Sequence, residues 1–268
     1  MTVNCTLSVS VLSGKGGVGK TNLSLNLSFA LHQMGFKTLL MDCDLGLANL
    51  DVLLGIAPKD NLQNVLLGET PVSDVLYSVA AGFDVLPAAS GVPELSEMKA
   101  DARALLLSRL EPLLGGYDYV FMDIGAGISE MVQAFAAMTA VRLIVITPEP
   151  TSLTDSYAMI KVLHNRHHLR DFLILVNQAT SAGEAKRAFE KLAGACRHFL
   201  HLEPVLLGHV RQDKKMPEAV RRQMPLLRYA PGSHAAEDIQ KMAEALQRSR
   251  LAMADYLADR KILRDAPE

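Results

Sequence analysis

The sequence predicts an α/β fold: a mostly parallel, twisted sheet flanked by helices. Three observations predict it. Apolar, β-branched runs alternate with helical patterns along most of the chain. Those runs are continuous, as strands buried on both faces must be, rather than alternating as half-exposed strands are. The first run also opens into a glycine-rich loop that leads straight into a helical pattern, so strand, loop and helix form one unit.

That first run is Thr6–Leu12. After Ser13, the residues Gly14, Lys15, Gly16, Gly17, Val18, Gly19, Lys20 and Thr21 fill the pattern G-x-x-x-x-G-K-[ST]. The glycines let backbone N–H groups point inward around phosphate oxygens. Lys20 can reach the β- and γ-phosphates, and the Thr21 hydroxyl suits Mg²⁺. Asn22 opens the helix Asn22–Met34, whose positive dipole end faces the anion. Lys15 is a second lysine, right after the first glycine. It is poorly placed for its own site and better placed to reach a nucleotide held by a second copy of the chain.

The run Lys37–Met41 ends in Asp42 and Asp44, two carboxylates spaced i, i+2 within the stretch Asp42–Asp51. One can hold a water on Mg²⁺ while the other orients the attacking water. Alone, such residues are ordinary solvated loop acids; beside a phosphate loop they read as functional. Phe83–Leu86 and the helix Asp101–Leu114 follow. Tyr117–Met122 then ends in Asp123, the Walker B arrangement, in which a carboxylate approaches Mg²⁺ through water. Gly125 and Gly127 let the next turn pass close to a γ-phosphate, a candidate switch.

The helix Glu130–Ala137, the strand Arg142–Thr147 and the helix Leu153–Arg166 come next. His164, His167 and His168, interleaved with Arg166 and Arg170, read as a solvated basic helix end, not a metal group. Phe172–Val176 ends at Asn177, whose amide offers a donor and an acceptor to an adenine edge. After the helix Ala182–Leu200, the strand Val205–Val210 ends at Arg211, Gln212 and Asp213, which can line the other side of the base. Loop capping is the competing reading for each of these singly. All these loops follow carboxyl ends of strands, where ligands bind in such sheets.

The last helical pattern is Asp238–Leu257. Ile239, Met242, Ala243, Leu246, Met253 and Leu257 fall largely on one face. Lys241, Arg248, Arg250, Arg260, Lys261 and Arg264 accompany them. Two readings stand: a final helix packed on the sheet, or an amphipathic helix that binds lipid. Glu237, Asp238, Glu244, Asp255, Asp259 and Asp265 oppose anionic lipid.

Composition narrows the class. Of 268 residues, 49% are hydrophobic, enough for a sizeable core. No linker or repeat divides the chain, so a single domain over 1–268 is expected, with 234–268 as a C-terminal helical tail. The formal charge of −2 gives no push toward nucleic acid, and the cluster Lys214-Lys215 with Arg221-Arg222 is modest. Cys5, Cys43 and Cys196 form no C-x-x-C, which argues against zinc, iron–sulfur and disulfide scaffolds. No apolar stretch approaches the ~20 residues of a membrane span. A signal segment is also missing, so a cytoplasmic location is expected.

These residues resemble the deviant Walker A, MinD/ParA-type P-loop ATPases. The marks are Lys15 within KGGVGKT, DCDLGLANLD at Asp42–Asp51 and the strand ending in Asp123. Within that class the chain is most similar to the FlhG (FleN/YlxH) regulators of flagellar number and placement. ANLDVLLGI at Ala48–Ile56, TPEPTSLTDSYAMIK at Thr147–Lys161 and AVRRQMPLLRYAPGS at Ala219–Ser233 carry that likeness. The resemblance implies slow ATP hydrolysis to ADP and phosphate, and a homodimer when ATP is bound. Lys15 would contact the partner's nucleotide, Lys20 the phosphates, and Thr21, Asp42 and Asp123 the Mg²⁺. Asp44 would place the hydrolytic water, and Asn177 and Asp213 would hold adenine. Implied partners are flagellar proteins, such as an FlhF-type GTPase or switch (C-ring) components, and an anionic surface at the inner face of the cell membrane. Nucleic acid is not expected. A MinD-like division-site or other ParA-type positioning ATPase is the alternative; a DNA-binding segregation ATPase would need a more basic surface. The sequence departs from the family pattern in three places. FlhG proteins often carry an N-terminal extension that activates the partner GTPase; here the first strand begins by Thr6, which puts that activity in question. Arg211 stands where proline is usual, and Ile124 where threonine is frequent.

Overall fold

The computed structural model describes residues 5–44, 49–68, 70–88 and 100–264. Leu45–Ala48, within the acidic stretch, and Asp265 lie outside the described residues.

The sheet has eight strands in the order β3-β4-β2-β5-β1-β6-β7-β8. They are β1 (Leu7–Leu12), β2 (Thr38–Cys43), β3 (Tyr77–Ala80), β4 (Phe83–Leu86), β5 (Tyr119–Ile124), β6 (Val141–Ile146), β7 (Phe172–Ala179) and β8 (Val205–Arg211). Neighbours pair in parallel, except for the β3–β4 hairpin. The sequence reading found every parallel strand and missed β3. Tyr77-Ser78-Val79-Ala80 is a short edge strand, exposed or half-buried along its length, so it lacks the continuous apolar run that marks the others.

The described helices are α1 (Lys20–Gln33), α2 (Leu50–Leu54), α3 (Leu62–Leu67), α4 (Val72–Val75), α5 (Ala100–Leu114), α6 (Glu130–Met138), α7 (Pro150–His167), α8 (Ala182–Leu200), α9 (Lys215–Arg221), α10 (Leu226–Tyr229), α11 (His234–Ala252) and α12 (Ala254–Ala258). Successive side chains of a strand face opposite ways. Tyr119 and Phe121 of β5 therefore join Val9 and Val11 of β1 in one core layer, while Val120, Met122 and Ile124 enter the other. Helices α1 and α11 cover the first layer; α5, α6, α7 and α8 cover the second.

The C-terminal helix is packed. It starts at His234, earlier than the apolar spacing indicated, because Ser233 caps it: the Ser233 hydroxyl accepts the Ala236 N–H at 3.3 Å. Ile239, Met242, Ala243 and Leu246 are buried against α1 and β8. Burying the Ile239, Met242 and Leu246 side chains stabilises by about 1.5–3 kcal/mol each. A single amphipathic helix gains only marginal membrane affinity, so packing wins. Beyond it, Leu257 and Leu263 are also buried. The Ser8 hydroxyl donates to the Ile262 carbonyl at 2.6 Å, and the Arg264 N–H to the Met138 carbonyl at 2.9 Å. Arg250 lies over the rings of Phe36 and Tyr119 and pairs with Asp118 at 2.8 Å. The stripe weighed as a lipid-binding face thus lies in the core. No helix among the described residues is long and apolar enough to cross a membrane.

Candidate functional site

The loop from Gly14 to Thr21 joins β1, at the centre of the sheet, to the N-terminus of α1. Two of its glycines are dictated by neighbours. A Cβ on Gly14 would sit 2.3 Å from the Asp155 carbonyl carbon, so α7 packs directly on the loop. Gly19 has φ +88° and would meet the Asn177 amide at 2.5 Å. Gly16, Gly17, Val18, Gly19, Lys20, Thr21 and Asn22 line an open cavity of about 710 Å³ whose wall also includes Asp44, Gly125 and Ala126. The Gly127 N–H donates to the Ser13 carbonyl at 3.0 Å, which ties the Asp123–Ile128 turn to the phosphate loop.

Lys20 is buried, with its ammonium 3.3 Å from Asp123 Oδ1. Ser24, one helical turn on, donates to the same oxygen at 2.9 Å. Sequence reasoning missed Ser24, although its i+4 spacing from Lys20 was a usable signal. Asp123 Oδ2 is buried and has no partner among the described residues. An orphaned carboxylate oxygen is costly unless a ligand or water completes it.

Asp42, paired with Asp123 across the β2–β5 register, is equally buried. It accepts backbone N–H bonds from Asp44 at 3.0 Å, Asn49 at 3.1 Å and Leu50 at 3.3 Å, and so anchors the start of α2. Burial, and then the neighbouring Asp123 charge, push its carboxyl up to about 7. Two crowded carboxyl groups, an orphan oxygen and the Thr21 hydroxyl beside the loop make an all-oxygen donor set that fits Mg²⁺. Asp44 lies against the switch turn: a Cβ on Gly125 would be 3.2 Å from Asp44 Oδ1. Cys43, between the two aspartates, is buried; burial and those acids raise its thiol well above its usual range.

Lys15 stands apart. It is not among the residues lining its own phosphate cavity. Its ammonium pairs instead with Glu149 at 2.9 Å and with the Thr151 hydroxyl at 3.2 Å, at the start of α7. Glu149 carried no signal in the sequence, since the pair spans 134 residues.

A second cavity of about 760 Å³ meets the first at Gly19 and Asn22. Asn177, Gln178, Arg211, Gln212 and Asp213 line it, so the predicted base residues do come together. Their side chains are already partly engaged. The Asn177 amide donates to the Val18 carbonyl at 2.7 Å, which leaves Oδ1 as its acceptor. Asp213 accepts the Lys215 N–H at 2.8 Å and the Ala235 N–H at 3.1 Å, at the starts of α9 and α11. Arg211 pairs with Asp238, and the Gln212 N–H donates to the Ala179 carbonyl at 2.9 Å. Gln178, with φ +57°, also lines this cavity and was not singled out in the sequence.

The histidines close α7 and do not form a cluster for metal. His164 Nδ1 lies 2.9 Å from the Leu169 carbonyl, and His167 Nε2 lies 3.3 Å from Gln133 Oε1. His168 is the left-handed residue that ends the helix.

The chain is similar over most of its length to known proteins. A family model described as cellulose biosynthesis protein BcsQ matches residues 7–246. The antiactivator FleN of Pseudomonas aeruginosa is 36% identical over 88% of this chain and 84% of its own length. The flagellum site-determining protein YlxH of Helicobacter pylori is 32% identical over 89% of this chain and 81% of its own. Among solved structures, the septum site-determining protein MinD of Pyrococcus horikoshii, complexed with Mg-ADP, superimposes with a TM-score of 0.76 at 27% identity. That match covers 91% of this chain and 97% of that one.

Proposed function

We propose that this chain, which belongs to the MinD/ParA-type P-loop ATPases, is a switch that dimerises around ATP and regulates flagellar number or placement. The membership rests on the family model over residues 7–246 and on the 36% identity with FleN. The chain is an ATP-hydrolysing enzyme of that group.

In the proposed cycle the loop N–H groups and Lys20 hold the phosphates of ATP or ADP, and Lys20 exchanges Asp123 for a phosphate oxygen. Thr21, Asp42 and Asp123 would hold Mg²⁺, which supplies charge neutralisation on the phosphates when bound. Asp44 orients the attacking water; its place against Gly125 puts it where the switch turn meets the γ-phosphate. Asn177 offers Oδ1 to the base, and Arg211, Gln212 and Asp213 wall the base cavity.

Dimerisation is supported by a single observation: Lys15 does not line its own phosphate cavity and is held at the surface by Glu149. A loop lysine in that position serves a nucleotide across a seam between two copies. Lys15→Ala should abolish the dimer formed with non-hydrolysable ATP and lower hydrolysis, while ADP binding by the monomer stays near wild type. Light scattering after size exclusion measures the first, calorimetry the last. An unchanged dimer fraction overturns the reading.

The flagellar role follows FleN and YlxH, which cover most of the chain. Its partner is proposed to be an FlhF-type GTPase or a switch component in the cytoplasm. Attachment at the membrane's inner face would need a surface other than the buried side of α11. The second reading is a MinD-like positioning ATPase, which the likeness to MinD supports. Flagella counted per cell, against misplaced septa, in a strain lacking the chain decide between them.

A further inference from the structure

The base cavity owes part of its wall to the C-terminal helix. Arg211 lines the cavity, and both of its charge partners, the buried Asp238 and the exposed Glu237 at 3.4 Å, are on α11. Nε donates to Asp238 Oδ2 at 2.7 Å and Nη2 to Oδ1 at 2.8 Å, a two-pronged bond. The Arg211 backbone N–H donates to Asp238 Oδ2 at 3.1 Å, and Nη2 also reaches the His234 carbonyl at 3.2 Å. The Asp238 side chain is only 5% exposed, against 30% for Arg211. It sits on a helix fixed by Ile239 and Met242 in the core. Arg211 is therefore a planar cation with its edge locked to a buried acid.

We propose that Arg211 is the platform on which the nucleotide's base stacks, and that Asp238 is the positioning residue that holds it flat. The proposal rests on the nucleotide reading above. A fork-shaped bond uses the edge of a guanidinium and leaves its faces for a π system. Met216, Pro217 and Val220 supply apolar wall in the same cavity, as a base requires. Asp213 adds to the design from the other side, since its bond to the Ala235 N–H fixes the first turn of α11 to the rim. With Asp213 engaged on backbone, base binding divides into stacking on Arg211 and an edge contact at Asn177 Oδ1.

Calorimetry on the full chain with Mg-ADP and, separately, with pyrophosphate tests this, because pyrophosphate has no base. Cation–π contacts change affinity by about two- to thirtyfold according to desolvation. Arg211→Ala, Asp238→Ala and Arg211→Lys should each weaken ADP binding by roughly tenfold and leave pyrophosphate binding unchanged. The double variant Arg211→Ala/Asp238→Ala should bind ADP no worse than either single one. Full ADP affinity in Arg211→Lys or Arg211→Ala overturns the proposal, and so does a parallel loss of pyrophosphate. If Asp238→Ala fails to fold, Arg211→Lys still decides, because it keeps the charge and loses only the plane. A wild-type chain that binds both probes equally overturns the base platform alone. One that binds neither overturns the nucleotide reading beneath it.

Discussion

Removing Asp123 separates its electrostatic work from its part in catalysis. In the nucleotide-free chain its Oδ1 is the ion-pair partner of Lys20, whose side chain is 8% exposed, against 1% for Asp123. Asp123→Ala strands a buried ammonium. Breaking a buried pair from one side costs about 3–5 kcal/mol. One term opposes this, because losing the Asp123 charge relieves Asp42, which it crowds. That relief is the smaller term, because Asp123 is only the second cause of the shift, after burial. The stranded lysine therefore wins, and the net loss falls at or below the low end of that range, about 2–3 kcal/mol. At about 2–4 °C per kcal/mol for a domain of this size, the midpoint of thermal unfolding falls by roughly 5–10 °C. Asp123→Asn keeps an oxygen for Ser24 and Lys20 and should lose less than half as much. ADP in the presence of a chelator should restore more stability to Asp123→Ala than it adds to wild type, because phosphate then neutralises Lys20. Scanning fluorimetry reads all these quantities. A midpoint for Asp123→Ala at or above wild type without nucleotide would refute the reasoning, as would equal losses for the Ala and Asn variants.

Asp44→Ala should lower hydrolysis by about 10²–10⁴-fold, the range of a positioned acid–base group, and prolong the ATP-bound dimer; loss of ATP binding in a filter assay would contradict that role. For Asp42, the folded chain holds the proton up to about 7, against 3.8 ordinarily, so this group's contribution to folding stability is fully present at low pH and is lost as pH rises from about 4 through 7. Urea unfolding should therefore show wild type losing stability relative to Asp42→Asn between about pH 4.5 and 7 and no further above it, with Mg-ADP narrowing the gap; a constant difference across that window would contradict it. Gly14→Ala places a methyl 2.3 Å from the Asp155 carbonyl carbon, so overpacking should remove about 1–3 kcal/mol of stability and weaken ADP binding, both readable by calorimetry.

What the sequence disclosed follows the range of the interactions. Gly14–Thr21 is legible because a phosphate cradle needs contiguous glycines and a lysine at fixed spacing. The central strands are legible because burial on both faces demands unbroken apolar runs, as in Leu7–Leu12 and Tyr119–Ile124. Asp42 and Asp123 stood out as acids ending such runs, and the β2–β5 register brings them side by side. Partners were hidden wherever they came from distant elements. Nothing near Arg211 announces Asp238, 27 residues on, and nothing near Lys15 announces Glu149. The two readings of the last helix could not be separated by periodicity, because an apolar stripe looks the same facing lipid or facing α1. Ser233 alone held a clue, since a capping serine fixes where that stripe begins.

The loop's two lysines are each neutralised by a carboxylate of the same chain, and the environments of those pairs set the order of events. Lys20–Asp123 is buried, so either partner left alone is expensive, and release requires a phosphate to arrive in the same cavity. Lys15–Glu149 is solvent-exposed, with side chains 41% and 61% accessible, and an exposed pair is worth about 0–1 kcal/mol. A phosphate presented by a second copy can therefore draw Lys15 away at little cost, whereas water alone cannot draw out Lys20. In the proposed cycle nucleotide binding would therefore come first and pairing of two copies second, because the first exchange occurs inside one chain and the second would become favourable only once a nucleotide is seated across the seam.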